Sequence, residues 1–140
     1  LADAPFSRHS THYRLLAHIN EVAEAGLMLA DFAYSHWPDE WTKKLDRQEL
    51  LQILLLHDLD KYLLLSDESL EMSIAHGTLS AMILNDLGFD SRVIEAVASH
   101  SPSASLHLDD PASMILHYCD LFSCDHIYML VSRTPHYCMK

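Results

Sequence analysis

Glycine is scarce in this chain, with three in 140 residues, and proline nearly so, with five. So few turn formers exclude collagen-like, linker-rich and disordered chains, and they argue against a many-turned β-sandwich or barrel. Basic residues are also few: 9 Lys and Arg stand against 20 Asp and Glu, a net charge of −11. A chain this acidic lacks the cations that displace counterions from phosphate, which excludes a general binder of large nucleic acids or of an anionic membrane. The three cysteines are odd in number and have no C-x-x-C spacing, so a disulfide framework is not expected and a reducing compartment is. No apolar run approaches the ~20 residues of a membrane span. No signal-peptide pattern is read, and the cytoplasm is the expected location.

What remains is 49% apolar, enough for the core of one domain. One domain over residues 1–140 is expected, with its core at about 12–131 and both ends frayed. The apolar periodicity is helical nearly throughout. Leu15, Leu16, Ile19, Val22, Leu27, Leu29 and Phe32 mark a first helix from about Thr11 to Tyr34, stopped by Trp37-Pro38. Asp46 and Glu49 have capping-box spacing and open a helix to His57. A short helix is expected over Asp60 to Leu65. A longer one, capped by Asp67 or Ser69, is expected from Leu70 to Leu87, with Gly88 at its C′ position. Asp90 and Ser91 start another, ending near His100. Asp110-Pro111 reads as an N-cap followed by proline at the first helical position, opening a helix to about Val131. The last nine residues read as a frayed tail. The expected fold is all-α, a bundle of about five to seven helices.

Eleven histidines are the anomaly. His18, His57 with Asp58, His76, His100 and Asp120 each fall on a separate expected helix, within or beside an apolar stretch. A lone buried histidine is ordinarily a hydrogen-bonded core residue. Several imidazoles and carboxylates drawn from different helices into one core are costly unless a metal or a partner receives them. The remaining histidines carry no such pattern. His9, His12, His36, His126 and His136 read as surface residues, and His107 as part of a polar loop. His117 stands three residues before Asp120 and could support it. Glu21 could orient His18, though its position suits a solvated helix surface better. Trp37, Trp41 and Tyr34 are expected to pack the first connection, and Cys119 to be a small buried apolar residue.

The segment Leu54-Leu55-Leu56-His57-Asp58-Leu59-Asp60-Lys61 resembles the signature of the HD-domain superfamily. His18 upstream, Ala75-His76-Gly77, the stretch from Val93 to His100 and the later Asp120 resemble the rest of that fold in the same order, over about residues 12–125. The resemblance implies a helical bundle with a central metal site. Members that keep both middle histidines hold two metals. By that analogy His18, His57 and Asp120 would bind one ion, His76 and His100 the other, and Asp58 would bridge them. Imidazole and carboxylate suit Fe or Mn, and also Zn, Ni or Co.

The implied activity is a phosphohydrolase or phosphodiesterase acting on a small phosphate or phosphonate through metal-activated water. Asp58 and Lys61 are its catalytic candidates, with Lys61 placed to meet a substrate phosphate if the helix of His57 continues through it. A di-iron oxygenase cleaving a C–P or C–C bond is the alternative the same ligand set allows, and a non-catalytic sensor or scaffold is a third. Two departures stand out. Asp60 occupies the position where many two-metal members carry glycine. The adjacent histidines and Gly-Tyr-Pro of the signalling phosphodiesterases are missing.

Overall fold

The computed structural model describes residues 2–8, 10, 12–67, 69, 73–104, 106 and 108–139. His9 and His107 lie outside the described residues, as does part of the expected Leu70–Leu87 helix. The described chain is helical: α1 (Leu15–His36), α2 (Asp39–Thr42), α3 (Arg47–Leu56), α4 (Lys61–Ser66), α5 (Thr78–Asp86), α6 (Ser91–Ser99) and α7 (Pro111–Leu130), followed by a 3₁₀ turn at His136–Cys138. Among the described residues the sole β-type pairing is an isolated bridge between Pro5 and Arg14. No helix of the described residues is long and apolar enough to cross a membrane.

Helix ends follow local chemistry. Asp46 Oδ1 accepts the Glu49 N–H at 2.7 Å and starts α3. Asp110 Oδ1 accepts from the Ala112 and Ser113 N–H groups at 3.0 and 3.1 Å, with Pro111 at the first position of α7. Gly88, at φ +80°, follows the end of α5 as C′.

At the centre α1 packs against both α3 and α7, with α5 and α6 packed together beside them and α6 also touching α3 and α7. Val22, Leu50, Ile53, Leu54, Leu84, Val93, Val97 and Leu116 form the core between them. Removing such a side chain from water stabilises the fold by roughly 1.5–3 kcal/mol. The buried face of α1 differs from expectation: Leu15, Ile19, Val22, Ala23, Gly26, Ala30 and Ala33 face inward, while Leu29 and Phe32 are exposed. The cause is close packing on α3. A Cβ on Gly26 would stand 2.5 Å from a Leu54 methyl, so this face holds small residues and the large ones turn outward.

Two further expectations are corrected. The helix expected from Leu70 to Leu87 is interrupted: Ser73 is helical, residues 74–77 are not, and α5 starts at Thr78 after Gly77 at φ +89°, so His76 sits on a turn. The helices around the His57-Asp58 pair fall where expected, with α3 ending at Leu56, a turn at residues 57–60 and α4 starting at Lys61, so Lys61 does not follow His57 along one helix. The C-terminal residues are anchored, with His136 stacked on Tyr128 at 5.1 Å and its Nδ1 2.8 Å from Asp125 Oδ1. The N-terminal segment is tied down as well. Phe6 N–H donates to Tyr13 O at 2.7 Å and Leu15 N–H to Ala4 O at 2.9 Å, and both Ala4 and Phe6 are buried.

Candidate metal centre

Five segments deliver six side chains to one place. His18 comes from the first turn of α1 and Asp120 from the middle of α7. His57 and His100 hold the same local position, each the C-cap residue of its helix, α3 and α6. Asp58 follows His57 on the turn, and His76 arrives from the turn before α5. His18, His57, Asp58, His100 and Asp120 are buried, and the His76 side chain is 29% exposed.

The ligand-type atoms divide into two groups that share Asp58. His18 Nε2 lies 3.2 Å from both Asp58 Oδ2 and Asp120 Oδ1. His57 Nε2 lies 3.4 Å from His18 Nε2, 3.5 Å from Asp58 Oδ2 and 3.8 Å from Asp120 Oδ1. On the other side, Asp58 Oδ1 is 2.8 Å from His76 Nε2 and 3.8 Å from His100 Nε2, and those two nitrogens are 3.2 Å apart. Ligand atoms ~2.1 Å from one tetrahedral ion stand about 3.4 Å apart, which is the spacing seen in both groups. Asp58 Oδ1 is fully buried and receives no aligned hydrogen bond, although His76 Nε2 is so close. Buried imidazole nitrogens and carboxylate oxygens converging at this spacing fit a cation between them. The cluster could therefore hold metal ions.

In three of the imidazoles the other nitrogen is anchored by a hydrogen bond, and in His76 it faces a carboxylate. His57 Nδ1 is 2.9 Å from Leu54 O and His100 Nδ1 is 2.6 Å from Val97 O, both the carbonyl three residues back. His76 Nδ1 is 3.3 Å from Asp60 Oδ1. His18 Nδ1 is 2.8 Å from the buried Ser123 hydroxyl. Every Nε2 is thereby turned to the cluster, with ring orientation fixed from behind.

The cluster's charges act strongly on one another. Burial opposes charging His76, but Asp58 and Asp60 outweigh it and hold the imidazole up to about 10. His100 is pushed down to about 4 by burial and by its neighbours His57 and His76. Burial works against ionising Asp58, yet Lys61 and His57 draw its carboxyl well below the usual range. Asp120 is likewise held low against burial, by His18 and His57.

Lys61 reaches the site from α4 rather than along α3. Its Nζ is 2.9 Å from Asp58 Oδ2 and 4.0 Å from the centre of the Phe6 ring, which itself packs 4.8 Å from the His18 ring. A cavity of about 180 Å³ opens beside it, lined by Phe6, Ser7, Lys61, His76, Asp120 and Cys124 among others. His117 lies instead on a separate cavity of about 280 Å³ next to His100, against Tyr118.

Four residues of this neighbourhood were missed or undervalued from sequence. Asp60 is fully buried and ties the turn of His76 to the turn of Asp58. Ser123 and Glu21 stand behind His18: Ser123 Oγ donates to Glu21 Oε2 at 2.7 Å, so Glu21 is not a solvated surface residue. His126, read as a surface residue, is exposed as expected and places Nδ1 2.9 Å from Glu21 Oε1. Ser123 carried a signal, being three residues past Asp120 on one helix face. Asp60 was visible only as the departure from glycine. Cys124 also belongs here, with Sγ 3.4 Å from Asp120 Oδ1, and burial with the Asp120 charge raises its thiol pKa.

No significant match emerges among curated proteins or among solved structures. The family model of the HD domain matches residues 15–124, a stretch that takes in all six cluster residues and the backing Glu21 and Ser123. With most of its length matched, an all-helical architecture and a buried His/Asp cluster at its centre, the chain belongs to the HD domain family.

Proposed function

We propose that this protein is a metal-dependent phosphohydrolase that holds two divalent transition metals, Fe or Mn by preference, and acts on a small phosphate-containing substrate. The observation that carries the reading is Asp58: its two oxygens face two different groups of imidazoles, 3.2 Å from His18 Nε2 on one side and 2.8 Å from His76 Nε2 on the other. Under this reading His18, His57 and Asp120 would hold one ion, His76 and His100 the other, and Asp58 would bridge. The paired ions would supply Lewis acidity toward a phosphoryl group and acidify a water between them.

The chain's own residues do the rest. Lys61 offers an ammonium on the wall of the adjoining cavity, where it would meet a phosphoryl oxygen. It would have to loosen its contact with Asp58 Oδ2, now 2.9 Å, to do so. Phe6 covers His18 and Lys61 and keeps water from that side. The cavity of about 180 Å³ between Lys61 and His76 would receive the phosphoryl head. The net charge of −11 argues for a small soluble substrate rather than a nucleic acid polymer.

The test is phosphate release from a panel of small phosphomonoesters, phosphodiesters and phosphonates with Mn(II) or Fe(II), with O₂ uptake followed in parallel. The expected result is phosphate release without O₂ consumption. It should be abolished in Asp58→Ala and weakened through KM in Lys61→Ala. O₂ uptake coupled to C–P or C–C cleavage would overturn the hydrolase reading in favour of the oxygenase. Folded, metal-loaded protein without either activity would favour a sensor.

A further inference from the structure

The Nδ1 atoms of the four imidazoles of the cluster face partners of different kinds. Leu54 O and Val97 O are carbonyls, and Asp60 offers a carboxylate oxygen; none of these can donate a hydrogen. Each therefore favours a hydrogen on Nδ1, and in His57 and His100 this leaves the Nε2 lone pair toward the cluster. His18 is the exception, because its partner is the Ser123 hydroxyl, 2.8 Å away. A hydroxyl can either accept or donate. If it donated, Nδ1 would carry the lone pair, Nε2 would carry the hydrogen, and His18 would face Asp58 and Asp120 as a donor.

The structure removes that ambiguity from one step further out. Ser123 Oγ is 2.7 Å from Glu21 Oε2, and it has one hydrogen to give. The same Glu21 oxygen lies 3.3 Å from the Tyr13 hydroxyl, and Oε1 lies 2.9 Å from His126 Nδ1. Glu21 is thus held in place on both oxygens, by residues from the N-terminal segment and from α7. Ser123 is completely buried, so no bulk water competes for its hydrogen. With that hydrogen directed at Glu21, the remaining lone pairs of Oγ can only accept from His18.

We propose that Glu21 is a positioning residue: by taking the Ser123 hydroxyl hydrogen it makes Ser123 an obligate acceptor for His18 Nδ1–H and commits His18 Nε2 to the cluster. The relay runs Glu21, Ser123, His18 and needs no ion to exist. Its consequence for metal affinity rests on the reading above that the cluster holds cations. Removal of such outer partners typically lowers metal affinity about 10- to 100-fold.

The experiment compares wild type with Ser123→Ala and Glu21→Ala, two changes with independent folding risks, one inside α7 and one at a half-buried face of α1. Each is first checked by thermal melting. The first readout is the imidazole N–H spectrum of ¹⁵N-histidine-labelled protein, with and without Zn(II). Wild type should show an exchange-protected Nδ1–H of His18 in both states, and both variants should lose it. Its absence from metal-free and Zn(II)-treated wild type, or its survival in the variants, would overturn the relay. The second readout is Zn(II) affinity by chelator competition, expected to fall about 10- to 100-fold in each variant. Unchanged affinity in both would overturn the claim that the relay serves the site. A wild type that binds no Zn(II) would instead count against the metal-site reading, and the N–H spectrum would still decide the relay.

Discussion

Gly77 donates its backbone N–H to Asp60 Oδ2 at 2.9 Å, and in doing so hands the N-terminus of α5 to a carboxylate from another turn. Glycine at an N-cap has no side chain to accept the helix's free N–H groups. Asp60 Oδ2 also lies 3.3 Å from the Ser80 N–H, while the Asp60 N–H donates to Ser80 Oγ at 2.8 Å. This reciprocal bonding works as a capping box built from two separate segments. Asp60→Ala would leave two buried donors without acceptors, at about 1–3 kcal/mol each. Thermal or urea unfolding should show a loss of at least ~1–3 kcal/mol; a change within ~0.5 kcal/mol would mean that solvent reaches these groups.

Gly77 itself cannot be replaced cheaply. At φ +89° an alanine is strained, and its Cβ would stand 2.7 Å from Val97 O and 3.1 Å from the His100 ring. Val97 O is the acceptor that holds His100 Nδ1. Gly77→Ala should therefore lower stability and also weaken the binding of the cation on the His76 and His100 side. Titration with Mn(II), read by its electron paramagnetic resonance signal, should show that site weakened selectively.

Gly26 makes a prediction about the core alone. Alanine at this helical position would gain about 1 kcal/mol in propensity. Against that, its Cβ would lie 2.5 Å from a methyl and 3.1 Å from Cγ of Leu54, which is fully buried and has little room to give. Overpacking of this kind costs typically about 1–3 kcal/mol, so Gly26→Ala should lower the urea midpoint. A raised midpoint would show that Leu54 repacks freely.

The histidines predict how metal-free protein responds to pH. His76 has its pKa raised from 6.5 to about 10, so its stabilising contribution is full below pH 6.5 and is lost as pH rises through 10. His100 is lowered from 6.5 to about 4, so its contribution is full above pH 6.5 and is lost as pH falls through 4. Asp58 and Asp120, held below their ordinary value, add to the acid-side loss. Tm of chelator-treated protein should peak near pH 6.5 and fall on both sides. A Tm that climbs steadily to pH 10 would contradict the pairing of His76 with Asp58 and Asp60.

Much of the architecture was legible because the chain marks its helix ends with strong local chemistry: Asp46, Gly88, Asp90 and Asp110-Pro111 each act where their residue types suggest. The isolated His18 and Asp120 stood out because each interrupts an apolar face. The errors share a different cause. Ile74-Ala75 and Leu79 continue a helical pattern past Gly77, and periodicity alone does not reveal that this glycine takes a positive φ. Leu29 and Phe32 look like core residues until the close approach of Gly26 to Leu54 is known. Asp60, Ser123 and Glu21 act through partners 17 or more residues away, which no local pattern encodes.

The most direct test of the central claim is metal content per chain by elemental analysis, after anaerobic loading with Fe(II) or Mn(II) and removal of excess ion. The account predicts about two ions per chain in wild type, falling sharply in Asp58→Ala, whose lost carboxylate faces both halves of the cluster. A folded wild type that retains none, or an Asp58→Ala variant that still holds two, would contradict it.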